Sequence, residues 1–229
     1  MTDQLFGLGG KVVVVTGGLG QLGRQFTRAL VAHGARVAVL DRITGVVPDA
    51  LAPHVDSGSV RIFEGDVTSR TSLEAALRDI RTEMGDPTGL INNAALDSPP
   101  GVSAAENGPF EQYPEESWDR VMEVNLKGVF LCSQVFGGAM AQAGGGSVVN
   151  ICSIYGLVSP DQRIYEYRRQ RGEVFFKPVA YAASKSGLLN LTRYLATYWA
   201  EQGVRVNTLS IAGVFNNQDA EFLNNYTPK

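Results

Sequence analysis

Cysteine and histidine are scarce in this sequence, with two of each among 229 residues. Cys132 and Cys152 lie in the apolar stretches VFLCSQ and NICSIY, and their spacing fits neither a disulfide framework nor a metal site. We therefore expect both to be reduced, packed thiols. No histidine-rich or carboxylate cluster has the spacing of metal ligands, so we predict no metal site.

Other absences exclude whole classes of partner. The sequence has 20 lysines and arginines and 23 aspartates and glutamates, which gives a formal net charge of −3, so positive charge is not in excess. Nothing therefore attracts the whole chain to nucleic acid or to an anionic membrane, and we expect neither partner. The stretch MTDQLFGLGG lacks the pattern of a signal peptide, and no run approaches the roughly 20 apolar residues of a membrane span. We expect a cytoplasmic protein.

What the sequence does contain is an alternation of apolar runs and helix-length segments. KVVVVTGG at 11–18 is typical of a strand buried on both faces of a parallel sheet. Five further runs resemble strands: RVAVLD, VRIFEGD, GLINNAA, GSVVNICS and VRVNTLSIAG. The segments between most of them are long enough for helices: 70–84, 115–142 and 180–202. The alternation predicts an α/β fold, a doubly wound Rossmann-type parallel sheet with helices on both faces, in a single domain over residues 1–229.

Two long segments follow strands without the pattern of a regular element. They cover residues 96–114 and 157–178. In an open α/β sheet, ligands bind beyond the carboxyl ends of the strands, so we expect both segments on the substrate side.

TGGLGQLG at 16–23 places Gly17, Gly20 and Gly23 between a predicted strand and a predicted helix. Glycine lets the backbone approach a pyrophosphate closely, while the helix N-terminus offers free N–H groups. A tight turn without a ligand is the alternative. Asp41 ends the second strand, where a carboxylate can bind the adenosine ribose and repel a 2′-phosphate. This favours NAD, although the neighbouring Arg42 could accommodate the phosphate of NADP, which is not excluded.

YAASK at 181–185 places Tyr181 and Lys185 four residues apart, on one face of a predicted helix. An ammonium beside a phenol favours the phenolate and so brings the tyrosine pKa down toward the working pH. Such a tyrosine can act as a general acid or base on an alcohol and ketone pair. An ordinary amphipathic helix is the alternative.

Several short motifs occur together in the order and rough spacing of the short-chain dehydrogenase/reductase family. They are TGGLGQLG, GDV at 65–67, NNAA at 92–95, VNLKGVFLCSQ from 124, NICS from 150 and YAASK. From about residue 8 to residue 216 the chain resembles that family. The resemblance implies a nicotinamide-dependent enzyme in which the cofactor carries out the hydride transfer.

The resemblance implies a role for each matching residue. Tyr181 is the acid/base, Lys185 lowers its pKa and holds the nicotinamide ribose, Ser153 binds the substrate oxygen, and Asn125 anchors a water linking Lys185 to solvent. A surface serine and a helix-interior amide are the alternatives for Ser153 and Asn125. The implied cofactor-binding residues are Gly17, Gly20, Leu22, Gly23, Asp41, Arg42, Asp66, Val67, Asn93, Ala94, Ala95, Tyr181, Lys185 and Ile211.

The sequence also departs from the family pattern. Gln21 replaces the second glycine of the commonest motif, and Ile211 and Ala212 replace the Pro-Gly pair after the sixth strand. We expect the turn to survive and the nicotinamide pocket to be looser or reshaped. The chain stops at Lys229, before the family's seventh strand, so we expect that strand to be absent.

The interval between Ser153 and Tyr181 is longer than usual in the family, which makes residues about 157–178 an insertion. It is rich in cations: Arg163, Arg168, Arg169, Arg171 and Lys177. A solvated, mobile surface loop is one interpretation. An anion clamp for a phosphorylated or nucleotide-linked sugar is the other, because arginine matches phosphate. The insertion is loosely similar to short-chain oxidoreductases of flagellin-glycan and nonulosonic-sugar pathways.

These features predict an NAD-dependent oxidoreductase that interconverts a secondary alcohol and a ketone, with a sugar, nucleotide-sugar or anionic sugar among the candidate substrates. The alternatives are a non-catalytic dinucleotide-binding regulatory protein and a sugar-nucleotide epimerase or dehydratase with tightly held NAD. Segments 118–140 and 180–201 carry apolar residues on more than one face. In the family these helices form a two-fold interface, which implies a homodimer or homotetramer.

Overall fold

The computed structural model describes residues 6–97 and 104–227. Six strands in these ranges form one parallel sheet in the order β3-β2-β1-β4-β5-β6. Their bounds are β1 Val12–Thr16, β2 Arg36–Asp41, β3 Val60–Glu64, β4 Gly89–Asn92, β5 Gly146–Ser153 and β6 Val204–Ile211. Strand order reverses between β1 and β4, and ligands of open α/β sheets bind in the crevice above such a reversal.

Helices connect the strands and cover both faces of the sheet. Their bounds are α1 Gln21–Ala32, α2 Ala52–Asp56, α3 Arg70–Met84, α4 Glu115–Met122, α5 Gly128–Cys132, α6 Gly138–Gln142, α7 Glu166–Gln170, α8 Val179–Tyr198 and α9 Ala220–Tyr226. Two π turns, Glu123–Lys127 and Ser133–Gly137, join α4, α5 and α6 into one continuous helical segment. None of the helices in the described ranges has the length and apolar character that a bilayer crossing requires.

The core consists of two apolar layers on opposite faces of the sheet. All five residues of β1 are buried, as its unbroken apolar run predicted. Val12 and Val14 pack with Phe136 and other residues of the helical segment 115–142. Val13 and Val15 pack on the other face with residues that include Leu51. The predicted doubly wound Rossmann-type fold is confirmed.

Helix ends follow from local chemistry. The Ser69 hydroxyl accepts a hydrogen bond from Ser72 N at the start of α3, and Gly85, at φ +89°, follows the last residue of that helix. Asp219 caps α9 in the same way by accepting from Phe222 N at 2.7 Å. Pro178, at φ −57°, precedes the first residue of α8 and fixes where that helix begins.

The segment 157–178 contains regular structure and buried residues, whereas its mobility stays a prediction. The segment contains a 3-10 turn, Gln162–Tyr165, and α7, and Ile164 and Tyr165 are buried. The Tyr165 ring packs against Phe175 and against Phe222 of α9, with centroid distances of 4.6 and 5.9 Å. The segment folds because these aromatic residues bury one another.

Candidate functional site

The glycine turn after β1 has a backbone path that side chains would block. Gly17 lies at φ +61°, and a Cβ atom there would be 2.8 Å from Ala94 Cα. At Gly23 a Cβ atom would be 2.3 Å from Gly17 O. Gly20 is the N-cap of α1. The backbone of this turn therefore packs directly against other backbone atoms. A turn of this kind lets a pyrophosphate approach the backbone closely.

Gln21 does not disturb this turn, as expected. It is the first residue of α1, and its Nε2 donates to Phe215 O at 2.8 Å. The glutamine thus points away from the turn and connects it to the segment after β6. Leu22 lies half-buried in the first turn of the same helix.

Asn93 and Thr16 hold the glycine turn against the end of β4. Asn93 Nδ2 donates to Thr16 O and Gly17 O, both at 3.0 Å, and Asn93 N donates to Thr16 Oγ1 at 3.0 Å. Ala94 N also donates to Thr16 Oγ1, at 3.1 Å. The Asn93 amide therefore bonds the turn itself, so its support of a cofactor would be indirect.

Two carboxylates stand at the ends of β2 and β3. Asp41 accepts hydrogen bonds from Leu19 N at 3.1 Å and Arg42 N at 2.9 Å, so its carboxylate is fixed beside the glycine turn. Burial acts to raise the pKa of Asp66, but hydrogen bonds from the Thr68 backbone and hydroxyl outweigh it, and the pKa is lowered. Both positions suit contacts with the adenosine half of a dinucleotide.

A cleft of about 530 Å3 joins these carboxylates to Tyr181. Eight of the predicted site residues line it: Gly17, Asp41, Arg42, Asp66, Val67, Ala94, Ala95 and Tyr181. The cleft also contains residues that no motif indicated: Asp97, Glu106, Tyr113 and Arg120. Glu106 Oε1 accepts from Arg120 Nη2 at 2.6 Å and from Ser117 Oγ at 2.9 Å, which holds the 3-10 turn at 104–107 on α4.

Ser153, Tyr181 and Lys185 come together at one end of this cleft. Ser153 is the last residue of β5, Tyr181 is in the first turn of α8, and a hydrogen bond joins the two side chains. Lys185, one helical turn on, is 3% exposed, and its Nζ lies 5.7 Å from the centroid of the Tyr181 ring. Lys185 Nζ donates to Ile151 O at 2.7 Å.

The expected lowering of the Tyr181 pKa by Lys185 is not observed. Burial and then the negative charge of Asp97 raise the pKa of Tyr181 to about 12, against the effect of the hydrogen bond with Ser153. Burial also lowers the pKa of Lys185 to about 8. The i, i+4 spacing correctly predicted that the two side chains lie close together. Burial penalises the charged form of each group, however, and this decides the direction of both pKa shifts.

The other two predicted residues of this region have different surroundings. Asn125, fully buried in a π turn, accepts from Leu96 N at 2.7 Å and donates to Leu96 O at 2.8 Å and to Ser184 Oγ at 3.2 Å. Its amide thereby binds the strand-end loop to α8, and the water link to Lys185 stays a prediction. Ile211 pairs in register with Ser153 across β5 and β6, which places it beside the catalytic candidates.

The structure does not favour the anion clamp in the insertion. Each of the five cations faces a carboxylate of the same chain: Arg163 with Asp161, Arg168 with Glu173 and Asp219, Arg169 with Glu166, Arg171 with Glu221, and Lys177 with Asp97. Such pairing reduces the attraction that the cations exert on a phosphate. In the described part of the chain, no group of three or more His, Cys, Asp or Glu could hold a metal ion, and the absence of a metal stays a prediction.

A Rossmann sheet with a glycine turn, a carboxylate after β2 and a Ser, Tyr and Lys group in one cleft is typical of nicotinamide-dependent oxidoreductases. Residues 11–167 match the family described as short chain dehydrogenase. The chain belongs to that family and is an NAD(P)-dependent oxidoreductase.

Known relatives agree with this assignment. D-threitol dehydrogenase of Mycolicibacterium smegmatis is 35% identical over 207 residues, which cover 90% of this chain and 70% of that enzyme. Galactitol 2-dehydrogenase of Rhizobium johnstonii is 35% identical over 212 residues, 91% of this chain and 73% of that enzyme. A short chain dehydrogenase from Leptospira borgpetersenii, solved with bound NAD+, matches 99% of this chain and 80% of its own at 31% identity and a TM-score of 0.82. These relatives give no support to the similarity with flagellin-glycan and nonulosonic-sugar oxidoreductases.

The buried lysine predicts a pH dependence of stability. The pKa of Lys185 is about 8 in the folded protein and near 10.5 when the chain is unfolded. Between these values the unfolded chain binds more protons, so the free energy of unfolding rises with pH, by on the order of 1 kcal/mol per pH unit. Above about pH 10 the raised pKa of Tyr181 acts in the opposite direction.

Urea unfolding of wild type and Lys185→Met, followed from about pH 7 to pH 10, measures this contribution. We expect the wild type to gain stability relative to the variant above about pH 8. Lys11→Met, which removes an exposed lysine before β1, should keep the wild-type slope. Parallel curves for wild type and Lys185→Met would contradict the prediction.

Proposed function

We propose that the protein is an NAD-dependent dehydrogenase that oxidises a secondary alcohol of a polyol or sugar alcohol to a ketone. One observation carries the proposal: Tyr181, hydrogen-bonded with Ser153 and near Lys185, lies at one end of the cleft that Asp41 also lines. The same cleft thus offers a place for the adenosine and a proton acceptor for the substrate.

The residues present fit a dinucleotide. A turn in which a Cβ at Gly17 or Gly23 would clash lies between β1 and α1, Asp41 stands beside it, and the cleft continues to Tyr181. When bound, NAD supplies the hydride acceptor. The chain's contribution is to bind the two adenosine hydroxyls, to orient the alcohol and to take up its proton.

The proton is transferred to Tyr181 Oη in the direction of alcohol oxidation. Ser153 Oγ hydrogen-bonds the substrate oxygen and Tyr181 together, which aligns the proton with its acceptor. Because burial raises the pKa of Tyr181, deprotonation needs positive charge nearby, which Lys185 provides in its ammonium form. Loss of hydride and of this proton leaves a ketone.

The substrate class follows from the relatives and from the polarity of the cleft. Relatives named for activity on threitol and galactitol are 35% identical to this chain. Asp97 and Tyr181 give the cleft hydrogen-bonding groups beyond the reacting oxygen. Both relatives are dehydrogenases, so they support neither the regulatory protein nor the epimerase or dehydratase.

The preference for NAD depends on Asp41. Its carboxylate is held by Leu19 N and Arg42 N in a position where it would bind the ribose hydroxyls and repel a 2′-phosphate. The related Leptospira enzyme was solved with NAD+. Arg42 lines the cleft beside Asp41, and we propose that the carboxylate decides the selectivity.

We predict that Asp41→Ala weakens NAD binding about tenfold, because the ribose hydroxyls lose a charged hydrogen-bond acceptor. The preference for NAD over NADP should also narrow, because the carboxylate no longer repels the 2′-phosphate of NADP. Calorimetric titration of each cofactor into wild type and variant measures the change. Asp56→Ala, at an exposed carboxylate of α2, is the control. An unchanged ratio of the two dissociation constants would contradict the assignment.

We predict that Tyr181→Phe lowers kcat for alcohol oxidation by at least about 100-fold and leaves NAD affinity nearly unchanged, because only the proton acceptor is removed. NADH absorbance measures turnover on a panel of sugar alcohols. Tyr194→Phe changes an exposed tyrosine on the same helix and should retain wild-type rates. Turnover that survives in Tyr181→Phe would exclude this tyrosine as the acid/base.

We also propose a homodimer or homotetramer built on the helical segment 115–142 and α8. A groove of about 650 Å3 lies there on the surface, and its apolar lining residues are Met122, Leu126, Phe130 and Leu191. Phe130 is 43% exposed in the single chain. A second copy would cover this apolar surface.

Sedimentation velocity tests the assembly. We predict an oligomer for the wild type and a monomer of 24.6 kDa for Phe130→Asp, because the variant would bury a carboxylate in an apolar contact. Phe110→Asp, at a phenylalanine that is 72% exposed and outside the groove, should sediment like the wild type. A monomeric wild type would refute the proposal.

A further inference from the structure

Lys177 and Asp97 form an ion pair next to Tyr181. Lys177 Nζ lies 2.7 Å from Asp97 Oδ1 and 4.9 Å from the centroid of the Tyr181 ring. Asp97 lines the cleft together with Tyr181. The ring thus has Lys177 and Lys185 as neighbours, and only Lys177 pairs with a carboxylate of the cleft.

This pair differs from an ordinary surface ion pair. The Lys177 side chain is 13% exposed, the least of any cation in the ion pairs of the described residues. Its backbone is fixed, because Lys177 N donates to Gln162 Oε1 at 3.0 Å and the next residue, Pro178, caps the N-terminus of α8. Phe176 N donates to Asn107 O at 2.8 Å, which connects the end of the insertion to the other segment on the substrate side. The ammonium therefore has a set position relative to Tyr181.

We infer that Asp97 and Lys177 form the specificity site for a hydroxyl on the carbon next to the reacting carbinol, so that the enzyme selects neutral vicinal polyols. The inference rests on the proposed function and specifies which hydroxyl of the substrate the site recognises. A hydroxyl can donate to Asp97 and accept from Lys177 at once, which a monohydric alcohol cannot do with its single reacting oxygen. Asp97 also repels a carboxylate or phosphate of a substrate. The arginines of the insertion pair with carboxylates of the chain, so they too offer little attraction to an anionic substrate.

Substrates with and without a hydroxyl next to the reacting carbinol separate this role from general catalysis. The measurement is kcat/KM for NAD-dependent oxidation of threitol, xylitol, galactitol and butan-2-ol by wild type, Asp97→Asn and Lys177→Met. The readout is the ratio of the best polyol to butan-2-ol. We expect the wild type to favour the polyol and each variant to lower the ratio about tenfold or more, because a polar site without its partner discriminates poorly.

Two further variants control for charge and folding. Arg81→Met breaks another ion pair with a nitrogen–oxygen distance of 2.7 Å, between Arg81 and Asp86 outside the cleft, and should keep the wild-type ratio. The double variant Asp97→Asn/Lys177→Met removes both charges of this ion pair. Its ratio should fall as far as that of either single variant, since both residues act on one hydroxyl.

Each outcome decides one claim. An unchanged ratio, or equal losses on polyols and butan-2-ol, would overturn the inference and leave the proposed function standing. A wild type that oxidises butan-2-ol as well as any polyol would likewise overturn the inference and leave the proposed function standing. A wild type that binds NAD but oxidises no alcohol of the panel would refute the proposed function, and the inference with it.

Discussion

The hydrogen bonds between the glycine turn and the end of β4 are the interaction on which the site depends. Asn93 and Thr16 join β1 to β4 where the strand order reverses, and they fix the turn within backbone contact of Ala94. The reversal opens the crevice, and these bonds decide its shape. Asp41 extends the same constraint to β2 through Leu19 N. Hydrogen bonds thus join three neighbouring strand ends around the place where a cofactor would lie.

The end of the cleft that contains Tyr181 and Lys185 forms at an energetic cost. Lys185 is almost fully buried, which disfavours its charge, and burial likewise disfavours a Tyr181 phenolate. A carbonyl oxygen at 2.7 Å and the nearby ring stabilise the ammonium only in part. In both groups burial favours the neutral form over the charged one, and perturbed pKa values of this kind are common at active sites.

Local sequence predicted the elements well because their causes are local. Five valine and threonine residues of β1 need burial on both sides, and the glycine turn needs backbone that only glycine allows. The proximity of Tyr181 and Lys185 was also predictable, because YAASK places both residues on one helical face. The upward shift of the Tyr181 pKa was not predictable, because the spacing of two residues in the sequence does not show how deeply they are buried.

The substrate side was the least predictable part, because its contacts join residues that are far apart in sequence. Cations in 157–178 suggested a phosphate site, yet Arg168 and Arg171 pair with Asp219 and Glu221 near α9. The Tyr165 ring reaches Phe222 across the same interval. A basic run therefore shows only how much charge a segment carries, and the fold decides whether that charge faces a ligand or the protein itself. Here Arg168 and Arg171 fasten the insertion to the start of α9, and Lys177 alone among these cations is placed beside Tyr181.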